Sequence, residues 1–301
     1  MTISPDTISP DTPACLEDPG RRSLRERWWI LAAACMWSLG GVFIKILHVK
    51  HGVDPAAIAC LRSGFAGLIL AWALPGALGA PPLRMLASGL AFAAVVSTFV
   101  LATSTTTAAN AIFLQYAYPV LVAPASVLLF RERVRGRMVA AVLIGLAGVG
   151  LILCFSWAPG EGKGVFLGCL SAVAFAALTL LQRSMRTGRP AGLASAYNFT
   201  AALILLPFCP GKLGLSLEAL LLILAMSIVQ LAVPYVFFIR GLRTTPATTA
   251  AVITLVEPVL NPVWVWLVLG EKPHPSTLAG GLLILVALLI PLLGARKEAT
   301  G

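Results

Sequence analysis

The dominant pattern along the chain is a series of long apolar runs separated by short polar segments. A helix needs about 20 mostly apolar residues to cross the hydrocarbon core of a bilayer, and each run is long enough to do so. The pattern therefore predicts ten transmembrane helices, at residues 28–47, 56–75, 83–103, 107–130, 137–156, 164–182, 191–208, 217–239, 247–269 and 276–294.

Composition supports this interpretation. The 301 residues are 58% hydrophobic and only 11% charged, and the mean hydropathy is +0.91. A soluble domain carries about 25% charged residues because its surface faces water. Only helices and closed barrels satisfy their own backbone groups in lipid, so we expect an all-α integral membrane protein.

The two ends of the chain are polar. The sequence Thr-Ile-Ser-Pro-Asp occurs twice in succession, at 2–6 and 7–11, and an arginine-rich segment follows. We expect residues 1–27 to be a disordered tail and residues 295–301 a second tail. The arginine-rich segment before an apolar run resembles a signal peptide, but the run at 28–47 is long enough to span, which favours a retained first helix.

Basic residues are distributed unevenly between the two sides of the membrane. With the N-terminus in the cytoplasm, sixteen Lys and Arg residues fall on the cytoplasmic side, and only Lys50, Lys163, Lys212 and Lys272 fall on the other side. Cytoplasmic loops of membrane proteins carry an excess of Lys and Arg. The bias predicts that both termini are cytoplasmic.

The two halves of the chain resemble each other at an offset near 139 residues. The matches are Pro119-Val-Leu with Pro258-Val-Leu, Glu132-Arg133 with Glu271-Lys272, Thr106 with Thr245, and Lys45 with Arg183. Each half, 28–156 and 164–294, holds five predicted helices, and because five is odd the second half enters the membrane from the opposite side. Inverted repeats of this kind are typical of transporters, with the substrate site near the midplane.

These features together resemble the drug/metabolite transporter superfamily of the EamA type. The resemblance covers roughly residues 28–294 and rests on Pro-Val-Leu followed by Glu-Arg in the fourth helix and Glu-Pro-Val-Leu followed by Gly-Glu-Lys in the ninth. Within the superfamily, the chain is similar to bacterial exporters of aromatic and other neutral amino acids. The resemblance implies a secondary transporter of the bacterial inner membrane that exports amino acids or similar small metabolites. The halves differ at Arg131, where the second half has Gly270, and no acid in the first half matches Glu257.

Two charged residues lie inside predicted helices at mid-membrane depth. Charged residues in a bilayer are costly and usually face a cavity or a partner. Glu257 is a candidate proton-titrating group or ligand for a substrate ammonium, and Arg62 is a candidate ligand for a carboxylate or a partner of Glu257. A structural ion pair or a helix-end contact is the alternative for both.

Prolines and polar or aromatic residues at mid-depth complete the candidate site. Proline removes a backbone donor, so paired prolines indicate a hinge, a cavity or a fixed kink. The hinge candidates are Pro119, Pro124, Pro234, Pro258 and Pro262. Aromatic rings and amides suit a neutral amino acid, although bonding between helices is the alternative for each residue. The cavity candidates are Trp37, Ser38, Ser97, Asn110, Gln115, Tyr118, Thr179, Gln182, Tyr197, Asn198, Gln230, Tyr235, Thr254 and Asn261.

Other function classes find little support in the sequence. It has no Walker loop, no dinucleotide turn and no catalytic triad, so we expect no enzyme, no cofactor and no metal. The net charge of +10 is spread over loops rather than one face, which argues against nucleic acid. The expected partners are a small-molecule substrate and membrane lipid, with the chain acting as a monomer. Export of drugs, purines or other metabolites, a channel, and a lipid-modifying enzyme remain as alternatives.

Overall fold

The described part of the chain consists of helices joined by turns and short loops. A computed structural model describes residues 19–118, 121–122, 125, 136–155, 158–184, 188–210, 214–242 and 253–298, which contain no β-strand. The helices are α1 (Pro19–Trp37), α2 (Gly40–Lys45), α3 (Pro55–Ile69), α4 (Pro82–Thr105), α5 (Ala108–Gln115), α6 (Gly136–Phe155), α7 (Gly162–Ser184), α8 (Pro190–Leu205), α9 (Leu217–Met226), α10 (Val233–Leu242), α11 (Val256–Leu269) and α12 (Pro275–Glu298).

Several helical stretches are long and apolar enough to cross a membrane. Five of them are Arg27–Lys50, Pro82–Thr105, Gly162–Leu181, Pro190–Phe208 and Leu217–Phe238. A sixth span arises if Pro55–Ile69 and Ala71–Ala77, which are bent by 80°, count as one. Each of the ten apolar runs contains at least one described helix. The full count of ten stays a prediction because the fourth and ninth runs continue into residues outside the described ranges.

Helix ends follow local sequence signals. Asp54 precedes Pro55 at the start of α3, and its carboxylate accepts hydrogen bonds from the N–H groups of Ala56 and Ala57 at 2.8 and 3.3 Å. Thr107 caps α5 in the same way, because its hydroxyl accepts from the Asn110 N–H at 3.1 Å. Such caps satisfy N–H groups that have no partner within the helix. Gly270 ends α11 with φ +71°, a conformation that favours glycine.

Three helices that the apolar pattern predicts as continuous are interrupted. The run at 28–47 breaks between α1 and α2, where the Ser38 hydroxyl donates to the Cys35 carbonyl at 2.6 Å and two glycines of low helix propensity follow. The run at 56–75 leaves the α-helix after Ile69 and continues as a 3₁₀ segment, Ala71–Ala77. The run at 217–239 contains a π-helical segment, Ser227–Ala232, between α9 and α10. Such π segments are frequent at functional sites.

The distribution of polar and apolar side chains is that of a membrane protein. Trp72 and Leu83 are 78% and 79% exposed, whereas Arg62, Asn110 and Asn261 are at most 3% exposed. Large apolar side chains face outward and polar ones face inward, which is favourable when lipid surrounds the bundle.

Helices from the two halves of the chain interlock. α4 lies against α7 and α8, α3 lies against α8, and α1 lies against α10. A site formed at these contacts therefore receives side chains from both halves, and any relative movement of the halves changes its shape.

Two glycines bring α6 and α12 into close contact. A Cβ atom at residue 148 would lie 2.6 Å from the Gly280 carbonyl oxygen, and one at residue 280 would lie 2.6 Å from the Gly148 carbonyl oxygen. Small residues are what allow such close approach of membrane helices.

We expect Gly148→Val to destabilise the protein, because overpacking of a close contact costs about 1–3 kcal/mol. The measurement is the thermal unfolding temperature in detergent. Gly150→Val on the same helix is the matched control, since a Cβ atom there meets no atom within 4 Å. An equal loss of stability in both variants would show that this contact is not tight.

Candidate functional site

Glu257 is buried in the first turn of α11 and has one hydrogen-bond donor. The Tyr116 hydroxyl donates to Glu257 Oε2 at 2.7 Å and also lies 3.3 Å from the Thr254 carbonyl oxygen. Tyr116 is buried at the end of α5. Pro258 explains why the Thr254 carbonyl is available: a helix would bond that oxygen to the N–H four residues later, and proline has none.

Arg62 is buried on α3 and bonds only to neutral groups. Its Nη1 donates to Gln230 Oε1 at 2.6 Å and its Nη2 to the Val96 carbonyl at 3.4 Å, while its Nε is buried without a partner among the described residues. Gln230 belongs to the π-helical segment between α9 and α10. The irregular segment thus carries the side chain that orients the guanidinium.

Glu257 and Arg62 form no ion pair with each other or with another charged group among the described residues. The ion pairs among the described residues are Lys45–Glu271 and His51–Glu218. Tyr235 on α10 lies within electrostatic range of both Glu257 and Arg62. Both buried groups thus lack an ion-pair partner among the described residues, and Tyr235 interacts electrostatically with each of them.

The aromatic residues of the candidate site pack against one another in two groups. The Tyr235 ring centroid lies 5.3 Å from that of Trp37 and 5.7 Å from that of Phe92, both in edge-on contacts. Tyr118 packs on Phe175 at 4.2 Å. Further ring contacts join Trp37 to Phe238, Phe92 to Tyr197 and Tyr116 to Tyr118. All four tyrosines of the chain take part in these ring contacts, Tyr116 and Tyr118 in one group and Tyr197 and Tyr235 in the other.

The glycines at the break between α1 and α2 make room for two amides. A side chain at Gly40 would collide with Gln230, and a Cβ atom at residue 41 would lie 2.5 Å from Asn261 Oδ1. Both polar atoms of the Asn261 side chain are buried without a hydrogen-bond partner in the described structure. An unpartnered buried amide is costly, so this one is available to water or to a ligand.

A second polar cluster, the Lys45 cluster, joins the two halves at one end of the bundle. Lys45 Nζ pairs with Glu271 Oε2 at 2.8 Å and donates to the Thr106 carbonyl at 2.8 Å. Glu271 Oε1 accepts from the Ala108 N–H at 2.7 Å, in the first turn of α5. The carboxylate is therefore favoured by a lysine and by a helix N-terminus together.

Hydrogen bonds extend the Lys45 cluster to α7 and α12. The Thr106 hydroxyl donates to Glu161 Oε2 at 3.0 Å and accepts from Asn110 Nδ2 at 3.1 Å. The Thr277 hydroxyl donates to Asn110 Oδ1 at 2.7 Å. The cluster thus ties α2, the α4–α5 junction, the segment before α7 and the start of α12 into one network.

Comparison with known proteins assigns this architecture to a family. The pattern of the EamA-like transporter family matches residues 25–154 and again residues 162–293. The chain belongs to the EamA-like transporter family. Membership makes it a multi-pass membrane transporter rather than a member of an enzyme family, and the two matches divide the chain where the sequence repeat divides it.

Relatives of this EamA-like transporter carry transporter names. An uncharacterized transporter of Archaeoglobus fulgidus is 28% identical over 267 residues, covering 87% of this chain and 94% of the relative. One from Clostridium kluyveri is 23% identical over 285 residues, covering 87% and 91%. The uncharacterized transporter YwfM of Bacillus subtilis is 26% identical over 182 residues, covering 56% and 59%. A solved crystal structure with 20% identity has a TM-score of 0.63 and covers 91% of this chain and 99% of that one, which shows the fold.

The structure of this EamA-like transporter gathers some of the predicted residues and separates others. Around Glu257 and Arg62 it places Trp37, Tyr118, Tyr197, Gln230, Tyr235 and Thr254. Ser38, which accepts from Trp264 Nε1 at 3.0 Å, and Asn261 lie at the adjoining break between α1 and α2. In this structure Arg62 donates to Gln230 and the Val96 carbonyl, and the predicted alternative of an ion pair with Glu257 is not formed.

The remaining candidates have other positions. Asn110 belongs to the Lys45 cluster, and Gln115 Nε2 donates to Ser171 Oγ at 2.7 Å. Ser97, Thr179 and Asn198 donate to carbonyls of their own helices, at 2.8, 2.7 and 2.9 Å.

The predicted hinge prolines are described only in part. Pro258 and Pro262 lie in α11, and Pro234 is the second residue of α10; all three are buried. Pro119, Pro124 and the side chain of Gln182 lie outside the described residues.

Sequence reasoning overlooked Tyr116, Phe92 and the pairing of Lys45 with Glu271. The repeat alignment selects Tyr118 as the counterpart of Glu257, but the backbone turns after Gln115 and brings Tyr116 to the carboxylate instead. A usable signal was the Glu257-Pro258 pair, because the proline leaves the Thr254 carbonyl without its helical donor beside a buried acid. Both groups then need a hydroxyl or amide donor from another helix.

Proposed function

We propose that this EamA-like transporter exports aromatic and other neutral amino acids across the bacterial inner membrane as a secondary carrier. The observation that supports the proposal is that Glu257 and Arg62 are both buried, have no ion-pair partner among the described residues, and both interact electrostatically with Tyr235, which packs on Trp37 and Phe92. An amino acid at neutral pH carries an ammonium and a carboxylate a few bonds apart. Glu257 suits the ammonium and Arg62 suits the carboxylate.

The energetics favour a charged ligand. A buried ion without a partner is expensive, and removing one member of a buried pair costs about 3–5 kcal/mol. Among the described residues Glu257 has a tyrosine donor and Arg62 has neutral acceptors, so each retains the capacity for a strong bond to an ion of opposite charge. A zwitterion satisfies both at once, whereas a simple cation or anion leaves the other charge unmatched.

The ring contacts around Tyr235 suit the side chain of the substrate. Trp37, Phe92 and Tyr235 offer ring faces and edges beside the charged groups. Aromatic pairs are worth about 0.5–1.5 kcal/mol beyond the area that they bury. This favours tryptophan, tyrosine and phenylalanine over small neutral amino acids.

We further propose ten membrane crossings in two inverted five-helix halves, 28–156 and 164–294, with both termini cytoplasmic and the chain acting as a monomer. In that orientation the Lys45 cluster lies at the outer end. Because Lys45 and Glu271 come from different halves, separating the halves at this end breaks their ion pair. The cluster then serves as the lock of the outer end during alternating access.

Exchanging the charges of Lys45 and Glu271 tests whether their ion pair holds the outer end closed. We expect Lys45→Glu to reduce transport about tenfold or more, since it places two carboxylates together. Lys45→Glu combined with Glu271→Lys restores part of the rate. Lys50→Glu is the control, because Lys50 is an exposed lysine on the neighbouring segment. Transport rates in proteoliposomes provide the measurement, and a double variant no better than Lys45→Glu would contradict the lock.

Competition for binding tests the substrate class. Purified protein is equilibrated with labelled tryptophan and challenged with tryptamine, which lacks the carboxylate, or indole-3-propionate, which lacks the ammonium. We expect each to compete at least about tenfold less well than tryptophan, the effect of roughly 1.4 kcal/mol. Stronger competition by a purine or a lipophilic cation than by tryptophan would instead favour the metabolite or drug exporters that the sequence leaves open.

A further inference from the structure

The Tyr116 hydroxyl faces two acceptors with one hydrogen. Glu257 Oε2 lies 2.7 Å from it and the Thr254 carbonyl oxygen lies 3.3 Å from it. A hydroxyl carries one donor and two acceptor lone pairs. Tyr116 can therefore donate to one of these oxygens and, at the same time, accept a hydrogen bond from a second group.

This arrangement accommodates both protonation states of Glu257. When the carboxylate is ionised, Tyr116 donates to it. When Glu257 takes up a proton from water, its new O–H donates to the Tyr116 oxygen, and the Tyr116 hydrogen turns to the Thr254 carbonyl. One O–H bond forms on the carboxyl group and one breaks in the hydronium or water that supplies the proton. In the protonated state both hydroxyls have an acceptor, so proton uptake leaves no buried donor unpartnered, which is what normally makes such a change costly.

Pro258 is part of the same unit. It occupies the position whose N–H would otherwise bond to the Thr254 carbonyl in a regular helix. The acid and the proline are adjacent in the sequence. The segment 254–258 therefore places the Glu257 carboxylate and the Thr254 carbonyl, the two possible acceptors of the Tyr116 hydrogen, close together.

Other titratable groups near Glu257 do not replace this role. Tyr118 beside α5 and Tyr235 on α10 interact with Glu257 electrostatically. Among the described residues, the hydrogen bond to the carboxylate comes from Tyr116. α1 and α2 also contact α11, and the charged residue of α2, Lys45, is paired with Glu271. Arg62 is held by Gln230.

We infer that Tyr116, with the Thr254 carbonyl, is a positioning residue that lets Glu257 bind and release a proton inside the membrane. Glu257 then accepts either a proton or a substrate ammonium, but not both, so substrate moves one way as a proton moves the other. The statement that a proton and a substrate ammonium exclude each other at Glu257 rests on the proposed function. The protonation unit itself does not depend on what the substrate is.

The test is a pH titration of the full chain in lipid, without substrate, followed by infrared difference spectroscopy of carboxyl groups. Glu257→Gln identifies the band of Glu257. Tyr116→Phe removes both the donor to the ionised carboxylate and the acceptor for the protonated carboxyl group. Because the hydrogen bond to the charged form is the stronger of the two, we expect the midpoint of this band to move to higher pH by about one unit, which corresponds to about 1.4 kcal/mol. Glu218→Gln, which changes an exposed carboxylate outside the site, is the control and is expected to keep the wild-type midpoint.

A second variant tests the alternative acceptor. Pro258→Ala supplies an N–H that competes for the Thr254 carbonyl, which disfavours the protonated state. We expect the midpoint to move to lower pH, opposite to the effect of Tyr116→Phe. Midpoints within about 0.3 unit of wild type in both variants, less than about 0.4 kcal/mol, would overturn the inference.

Transport separates this inference from the proposed function. Tyr116→Phe is expected to reduce the stimulation of tryptophan uptake by a pH gradient more than it reduces exchange of tryptophan without a gradient. If no amino acid is transported but the infrared midpoints move as expected, the substrate assignment fails and the protonation unit stands. If tryptophan is transported and the midpoints do not move, the protonation unit fails and the substrate assignment stands.

Discussion

Glu257→Gln is expected to lower the affinity for tryptophan about 100-fold, because truncating one partner of a buried charge pair costs about 2–5 kcal/mol. The amide keeps the size of the side chain and can still accept from Tyr116, so the fold is expected to survive. The amide takes up no proton in this pH range, so the dependence of transport on a pH gradient disappears as well. Equilibrium binding and gradient-driven uptake measure the two effects.

A carboxylate outside the site provides the control for this variant. Glu218 is 77% exposed and is paired only with His51, so Glu218→Gln is expected to bind and transport tryptophan as the wild type does. Wild-type affinity and wild-type gradient dependence in Glu257→Gln would remove Glu257 from both substrate binding and coupling.

Arg62→Gln is expected to abolish the preference for amino acids over amines. The guanidinium supplies a charge-assisted hydrogen bond worth about 1.5–3 kcal/mol, so the affinity for tryptophan falls about 10- to 100-fold. The affinity for tryptamine, which has no carboxylate, stays nearly unchanged. The ratio of the two affinities isolates the contact between Arg62 and the carboxylate from any general loss of stability.

Two further variants test whether the shape of the Arg62 side chain, and not only its charge, is needed. Arg62→Lys keeps the charge but loses the planar fork that holds Gln230 and the Val96 carbonyl, so we expect an intermediate loss. Arg84→Gln changes an exposed arginine on α4 and serves as the control. If tryptophan and tryptamine lose affinity equally in Arg62→Gln, Arg62 supports the structure and does not contact the carboxylate.

Local sequence signals were sufficient for much of the architecture. The apolar runs located the helices, because the pattern depends only on the length of the hydrocarbon core. The starts of α3 and α4 at Pro55 and Pro82 agree with the run boundaries to within one residue. Glu257 and Arg62 were found for the same reason, since a charge within an apolar run is visible without a structure.

Features that depend on contacts between distant segments could not be predicted in this way. The break between α1 and α2 leaves room for Gln230 and Asn261, which lie nearly 200 residues away or more. Tyr116 reaches Glu257 only because α5 ends one residue earlier. The pairing of Lys45 with Glu271 depends on how the two halves meet, and a charge near the end of an apolar run does not reveal which residue of the other half is its partner.

The measurement that tests the central claim most directly is uptake of labelled tryptophan by the purified protein in liposomes, with and without an acidic lumen. We expect saturable uptake that an acidic lumen stimulates, with competition by other aromatic amino acids and little by tryptamine. Flux that rises linearly with concentration would indicate a channel. Transport of a purine or lipophilic cation without any amino-acid uptake would contradict the proposed substrate and leave the membership of the EamA-like transporter family intact.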